Sequence, residues 1–543
     1  MVEEILENLI AQFSDPLTFY RELIQNALDA GASMVEVSVT RRDDPPGVII
    51  AVTDWGEGMN RHTITHELTR LFASSKEDDF TKIGKFGIGF VSVFAIQPEL
   101  VVVDTGRDGE SWRIVFDGSP NYQCLRLENP FEGTRIRIYK ALPTTDFDDF
   151  VTRSVASVRY WCRYSDVPIQ FNGQRINEEL TLPASLVVRH QQPGTEVVVG
   201  LSPTTPEPFG LYNRGLTLME GQRTFRPGLS FRIKSRYLEH TLTRDNVLMD
   251  QNFTKAIRIM DQVAKEQFPQ AFMARVKTHI ESGDDPALEA LFTEAIPFLT
   301  SWRRSLPKAL LDVPLFPALH GPPLSINQVR QAAGQERNLY LEDRPNHVTE
   351  VLWQVEVPVL RARAGEGPVA DALAAITGYV PQRASQVVAA PVPAPASELQ
   401  ADLGRLTPMV SALLHDGRVG LRDMVLCDFE YEGSAVAGMP CLIQHDVTEP
   451  IRLHRRAAWW RWLAGSRLLL NRAHPLVQQV MEHSRQAPLL GAYAIAKIVM
   501  LQGPMPAGLE ARWLARCLAS RPRLEEGWLV ALSRRWLTTP KRA

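Results

Sequence analysis

Apolar residues recur at helical spacing near the start of the chain. Ile5, Leu6, Leu9, Ile10 and Phe13 form one stripe, Asp15-Pro16 interrupts it, and Phe19, Leu23, Ile24 and Ala27 resume it. Asp15 before Pro16 reads as a helix cap followed by a first-turn proline. The period then shortens to two. Val35-Glu36-Val37-Ser38-Val39 alternates as a half-buried strand, and Gly47-Val48-Ile49-Ile50-Ala51-Val52 reads as a more buried one, with Asp43 to Gly47 as the turn between them. Strand signals continue at Leu100–Val103, Ser111–Val115 and Thr134–Tyr139. Helix, strand, strand, helix and further strands predict a sheet covered by helices on one face.

Later segments divide the chain further. A helix-rich stretch begins near Asp146, and Pro168-Ile169-Gln170-Phe171 follows it as a strand. Residues 185–275 mix strands with a helical end, and another α/β segment runs from Pro314 to about Arg363. Ala389 to Ala396, rich in Pro and Ala, reads as a linker, and 459–519 as mostly helical. The predicted organisation is an α+β multidomain chain: an α/β sandwich at 1–180, an α/β middle domain at 181–388 (parts 181–275 and 276–388), a linker at 389–398 and a mostly helical domain at 399–543.

Composition narrows the class only a little. Apolar residues make up 45% and charged residues 22% of 543, as in ordinary globular proteins. A net charge of −3 gives no electrostatic reason to expect nucleic acid. Five scattered cysteines without CxxC spacing fit free thiols in a reducing compartment. No apolar run approaches the roughly 20 residues of a membrane span, and the acidic start is not a signal peptide. A cytoplasmic location, without membrane, is the expectation.

Chemistry is concentrated in four motifs. In Arg21-Glu22-Leu23-Ile24-Gln25-Asn26-Ala27-Leu28-Asp29-Ala30-Gly31, Glu22, Asn26 and Asp29 share one helix face. On this motif alone a solvated face, with Arg21 and Gln25 beside it, remains open. Asp54-Trp55-Gly56-Glu57-Gly58-Met59 then ends an apolar strand in glycines that permit close approach of a ligand. Gly84-Lys85-Phe86-Gly87-Ile88-Gly89-Phe90 precedes a helical run, offering backbone N–H groups to phosphates, but lacks the Lys-Ser/Thr of a P-loop. Gly133-Thr134 opens a strand.

Together these motifs resemble those of the GHKL ATPases, the superfamily of DNA gyrase, the ninety-kilodalton heat-shock chaperones, MutL and sensor histidine kinases. The resemblance implies a GHKL (Bergerat) sandwich binding ATP and Mg²⁺. Glu22 would be the general base and Asn26 the Mg²⁺ ligand. Asp54 would bind the adenine amino group with help from Thr134. Asp29, Ala30, Gly56, Gly58 and Met59 would line the pocket. Gly84, Lys85, Phe86, Gly87, Ile88, Gly89 and Phe90 would cradle phosphates, with Ser75 and Lys76 in a short lid. The presence of Glu22 argues against a histidine kinase.

Beyond the first domain, His240-Thr241-Leu242-Thr243-Arg244-Asp245-Asn246-Val247-Leu248 resembles the chaperone middle-domain loop, which makes Arg244 the candidate catalytic arginine. Leu468 to Val477 is similar to the chaperone dimerisation region. The stripe Ala492, Ile495, Ile498 and Val499 reads by itself as monomer core and, beside that similarity, as a candidate dimer seam; Trp459, Trp460 and Trp462 read as packed core or as a client surface. The resemblance implies an ATP-driven homodimeric clamp on client proteins, closed through the C-terminal domain. A MutL-like or Morc-like clamp on DNA is the alternative, kept open by the arginines between Arg452 and Arg461.

Overall fold

The computed structural model describes residues 15–69, 89–117, 122–241, 247–303, 311–336, 338–362, 367–395, 398–417, 420–444, 450–453, 465–501 and 507–519. The chain forms two compact units, one of residues 1–275 with 294–301, the other of 276–293 with 302–543.

The first unit opens on a 3₁₀ turn, Pro16–Thr18, capped by Asp15, whose side chain accepts the Leu17 N–H at 3.0 Å. Helix α1 (Phe19–Asp29) follows directly. Next come β1 (Val35–Arg42), β2 (Gly47–Asp54), β3 (Leu100–Arg107), β4 (Glu110–Phe116), β5 (Tyr122–Arg126), β6 (Gly133–Ala141), helix α2 (Phe147–Cys162), β7 (Ile169–Phe171) and β8 (Gln174–Arg175). The strands form one sheet in the order β5-β4-β3-β6-β2-β1-β7-β8, antiparallel except where β7 joins β1. The period-two reading of β1 holds: Val35, Val37 and Val39 are buried while Glu36 and Ser38 are half-buried. Those valines pack with Phe19, Leu23, Ile24 and Ala27 of α1 and Phe150, Val158 and Cys162 of α2. Each fully buried Leu or Ile contributes about 1.5–3 kcal/mol, so this shared layer fixes α1 on the sheet.

A second sheet in the same unit comprises β9 (Val187–Gln192), β10 (Thr195–Leu201), β11 (Pro208–Asn213), β12 (Leu216–Gln222) and β13 (Leu229–Ser235), in the order β12-β11-β13-β10-β9. Helix α3 (Gln251–Gln262) begins at Asp250, whose carboxylate accepts the Phe253 N–H at 2.8 Å.

The second unit contains a parallel sheet of β14 (Leu339–Glu342), β15 (Val359–Arg361) and β16 (Pro381–Arg383), interleaved with α4 (His347–Gln354) and α5 (Pro368–Thr377). Beyond it lie β17 (Val388–Ala389), β18 (Val392–Pro393), α6 (Glu398–Asp416), β19 (Leu421–Asp428), β20 (Cys441–Gln444), β21 (Ile451–Arg452), β22 (Ser466–Asn471), α7 (Pro475–Ser484), α8 (Pro488–Met500) and α9 (Leu509–Ala519). More of these residues are helical than extended, but the sheet β18-β19-β22-β20 runs through them.

One feature differs from the sequence reading and a second decides between two readings left open. Part of the Pro/Ala stretch is paired: β17 pairs with β21, and β18 lies on β19 as an edge strand, where a proline's missing N–H does no harm. The stripe Ala492, Ile495, Ile498 and Val499 is buried inside its own unit, packed with Leu403, Leu406 and Val410 of α6. Helix α8 is apolar on almost every side, which is the mark of a core helix, not of a seam. The Trp459–Trp462 cluster lies outside the described residues. Among the described residues no helix is long and apolar enough to cross a membrane.

Candidate functional site

Helix α1 is not a solvated surface helix at its polar end. Glu22 is 1% exposed and Arg21 2% exposed, although both side chains are ionisable. Arg21 lies over the Trp161 ring of α2, 4.5 Å from guanidinium carbon to centroid, so its burial belongs to the packing of α1 on α2. Asn26 follows Glu22 by one turn and is half-buried, which puts an amide beside the carboxylate on one face.

The end of α1 meets the turn after β2. The Ala30 carbonyl accepts the Glu57 N–H at 3.0 Å, and a Cβ on Gly56 would fall 2.9 Å from that same carbonyl oxygen. Motifs far apart in the chain are thus neighbours in space. Asp54 closes β2, paired with Thr134 of β6 on one side and Val35 of β1 on the other. Its carboxylate accepts the Gly56 N–H at 2.9 Å. Burial pushes the carboxyl above its ordinary range, against the backbone N–H groups of Gly56 and Thr134, which pull it down. A carboxylate offers about four acceptor positions, so these two donors leave capacity for a ligand's amino group.

The turn needs its glycines. Gly58 has φ 65°, and a Cβ there would lie 2.1 Å from the Gly106 carbonyl oxygen. Gly133 has φ 80°, and its Cβ would lie 2.2 Å from the Asp54 carbonyl oxygen. The backbones after β2, at the end of β3 and at the start of β6 are therefore in direct contact.

Thr105, which the motifs did not single out, organises this contact. Fully buried on β3, its hydroxyl accepts the Met59 N–H at 2.9 Å and lies 3.1 Å from both the Gly133 carbonyl and the Thr134 hydroxyl. With the Thr105 proton given to Gly133, Thr134 donates to Thr105 and keeps its lone pairs for a ligand. The only signal in the sequence was a hydroxyl residue closing a strand of valines.

The structure thus brings Ala30, Asp54, Gly56, Gly58, Met59 and Thr134 together, with Asn26 and Glu22 about one and two turns before Ala30 on α1. Asp29, in the last turn of α1, pairs with Arg214 at 3.6 Å. Gly89 and Phe90 are described at the start of a short helical run and Phe90 is buried. Ser75, Lys76, Gly84, Lys85, Phe86, Gly87, Ile88 and Arg244 lie outside the described residues. The residues present fit a nucleotide: a buried carboxylate with spare acceptor capacity at the Asp54 end, and a carboxylate–amide pair at the Glu22 end.

Residues 19–119 match the family model of the histidine kinase-, DNA gyrase B-, and HSP90-like ATPases. The chaperone protein HtpG of Rhodospirillum rubrum is 28% identical over 222 residues, covering 33% of this chain and 34% of the relative. HtpG of Anaplasma phagocytophilum is 32% identical over 194 residues, covering 30% and 29%. The mitochondrial heat shock protein 75 kDa of Bos taurus is 27% identical over 192 residues, covering 30% and 27%. The chain spans about a third of the length of the curated relatives it matches. The N-terminal part of the chain is accordingly a GHKL-type ATPase domain, and within that superfamily it resembles the HtpG chaperones.

Proposed function

We propose that the chain is an ATP-dependent molecular chaperone, in which binding and hydrolysis of ATP open and close a clamp on client proteins. The observation that carries the reading is the arrangement of Glu22, Asn26 and Asp54: a carboxylate 1% exposed, an amide one turn on, and a second buried carboxylate at the turn against which the helix ends. A buried acid with a polar group one turn away is a candidate general base.

In this reading Asp54 accepts the adenine amino hydrogen and Thr134 assists. Glu22 takes a proton from a water whose oxygen bonds to the γ-phosphorus as the bond to the β–γ bridging oxygen breaks. Asn26 would hold Mg²⁺, which when bound offsets the negative charge of the phosphates. Arg244 would supply positive charge to the same phosphates, and Ser75, Lys76 and the glycines from Gly84 to Gly89 would enclose them. A cytoplasmic homodimer joined through residues 399–543 completes the reading, with the domains divided near 180 and 388.

The two HtpG relatives named above are chaperone proteins, which favours a protein client over the DNA clamp. The test is suppression of aggregation of a heat-denatured protein by the full chain, with and without ATP. Nucleotide-dependent suppression supports the proposal. No suppression, together with salt-dependent retention of DNA by the ATP-bound chain, would replace it with the clamp reading.

A further inference from the structure

The tip of the β11–β12 hairpin holds a residue that its own backbone disfavours. Arg214 has φ 47° and Gly215 φ 91°. Gly215 is needed there, since a Cβ would lie 2.0 Å from the Tyr164 carbonyl oxygen. An arginine is not: the left-handed region suits asparagine or glycine better. From this position the guanidinium reaches the Asp29 carboxylate at 3.6 Å, with the two side chains 54% and 39% exposed. So exposed a pair adds little stability. Neither the turn nor the ion pair explains the arginine as a stabilising choice.

A second link joins the same two parts. Gln25 Nε2 lies 3.4 Å from His240 Nε2, and His240 Nδ1 lies 3.1 Å from the Thr241 carbonyl oxygen. A carbonyl only accepts, so in the neutral imidazole Nδ1 carries the proton and Nε2 accepts from the Gln25 amide. His240 also forms an antiparallel bridge with Val247, and the Leu248 N–H donates to the Glu239 carbonyl at 2.7 Å. Gln25, Asp29, Arg214, Arg236, Glu239 and His240 border one cleft of about 160 Å³. All lie in the first unit.

We infer that Arg214 and His240 are positioning residues that tie the second sheet to the C-terminal half of α1, through Asp29 and Gln25. The tie holds the paired flanks, His240 and Val247, in register with the helix that carries Glu22 and Asn26. Its role is alignment for turnover, not nucleotide binding and not folding. The inference rests on the ATPase reading of that helix.

The test is Arg214→Asn in the full chain, with ATP affinity, steady-state phosphate release and thermal midpoint measured together. Asparagine removes the guanidinium and suits the backbone. The expected result is a midpoint at or above wild type, an ATP Kd within about twofold, and a kcat lowered at least about fivefold, the lower end of ordinary site-to-site coupling. Arg214→Lys, which keeps the charge, should recover most of the loss. His240→Ala should act in the same direction, and the double variant should cost less than the sum, because both residues hold one helix end.

Wild-type kcat in Arg214→Asn would overturn the inference, as would a Kd or midpoint that falls in proportion to kcat, or a lysine variant no better than asparagine. Amide hydrogen exchange over residues 25–32 reads the tie without turnover. Faster exchange in Arg214→Asn supports it and unchanged exchange overturns it, even if wild type failed to hydrolyse ATP and the ATPase reading fell.

Discussion

The Ala30 carbonyl accepts the Glu57 N–H at 3.0 Å, and this one bond joins the end of the helix bearing Glu22 to the turn that follows Asp54. It makes neighbours of two motifs that the chain keeps apart.

Asp54→Asn separates stability from function. Burial raises the Asp54 carboxyl above its ordinary range. A group raised on folding contributes stability below the ordinary carboxylate range and loses it as pH rises through its folded value, so ionised Asp54 is a cost at neutral pH. The nucleotide-free Asp54→Asn variant should therefore melt at a higher temperature than wild type at pH 7, with the gap closing in acid. It should also fail to bind ATP, and wild-type ATP affinity should fall on acidification at a higher pH than an ordinary aspartate would give. Thermal melts and nucleotide titrations across pH check both.

Gly58→Ala meets two obstacles, a left-handed backbone and the Gly106 carbonyl 2.1 Å from the new methyl. The backbone alone costs about 1–2 kcal/mol, and the collision adds to it. Gly109 has φ 79° with nothing near a Cβ, so Gly109→Ala should show the backbone cost alone. Denaturant midpoints of the two variants should differ, with the larger loss, and loss of ATP binding, confined to Gly58→Ala.

Thr105→Val keeps the shape of the side chain and removes its hydroxyl. The Met59 N–H loses its acceptor and the Thr134 hydroxyl loses its neighbour. Leaving buried polar groups unmet costs about 1–3 kcal/mol. The variant should lose stability in that range and bind ATP more weakly. Thr105→Ser, which retains the hydroxyl, should bind near wild type by calorimetric titration.

Ile495→Ala probes the helix whose stripe reads from sequence as either core or dimer seam. Ile495 is 1% exposed within the second unit's core. Truncating it should cost about 2–5 kcal/mol of stability. The mass of the folded protein by sedimentation should be the same as wild type, because the side chain faces its own unit.

Much of this was legible in the pattern of residues, and the limits have physical causes. The alternation at Val35–Val39 and the Asp15-Pro16 cap are local signals, and the structure bears both out. Glu22 and Asn26 share a face because helical geometry requires it. What local pattern does not carry is the partner across space. Thr105 looks like any strand residue until β3 lies beside β6. The stripe on α8 has the same spacing whether it meets a second copy or α6, so only the fold assigns it to the core. The Pro/Ala stretch has a linker's composition, yet proline is tolerated on an edge strand, and β18 is one.

The most direct test of the central claim is steady-state phosphate release by the full chain beside Glu22→Ala, with ATP binding measured on both. The account predicts that the variant still binds ATP and that its turnover falls by about 10²–10⁴-fold, the usual contribution of a general base. Hydrolysis at the wild-type rate in Glu22→Ala would contradict it.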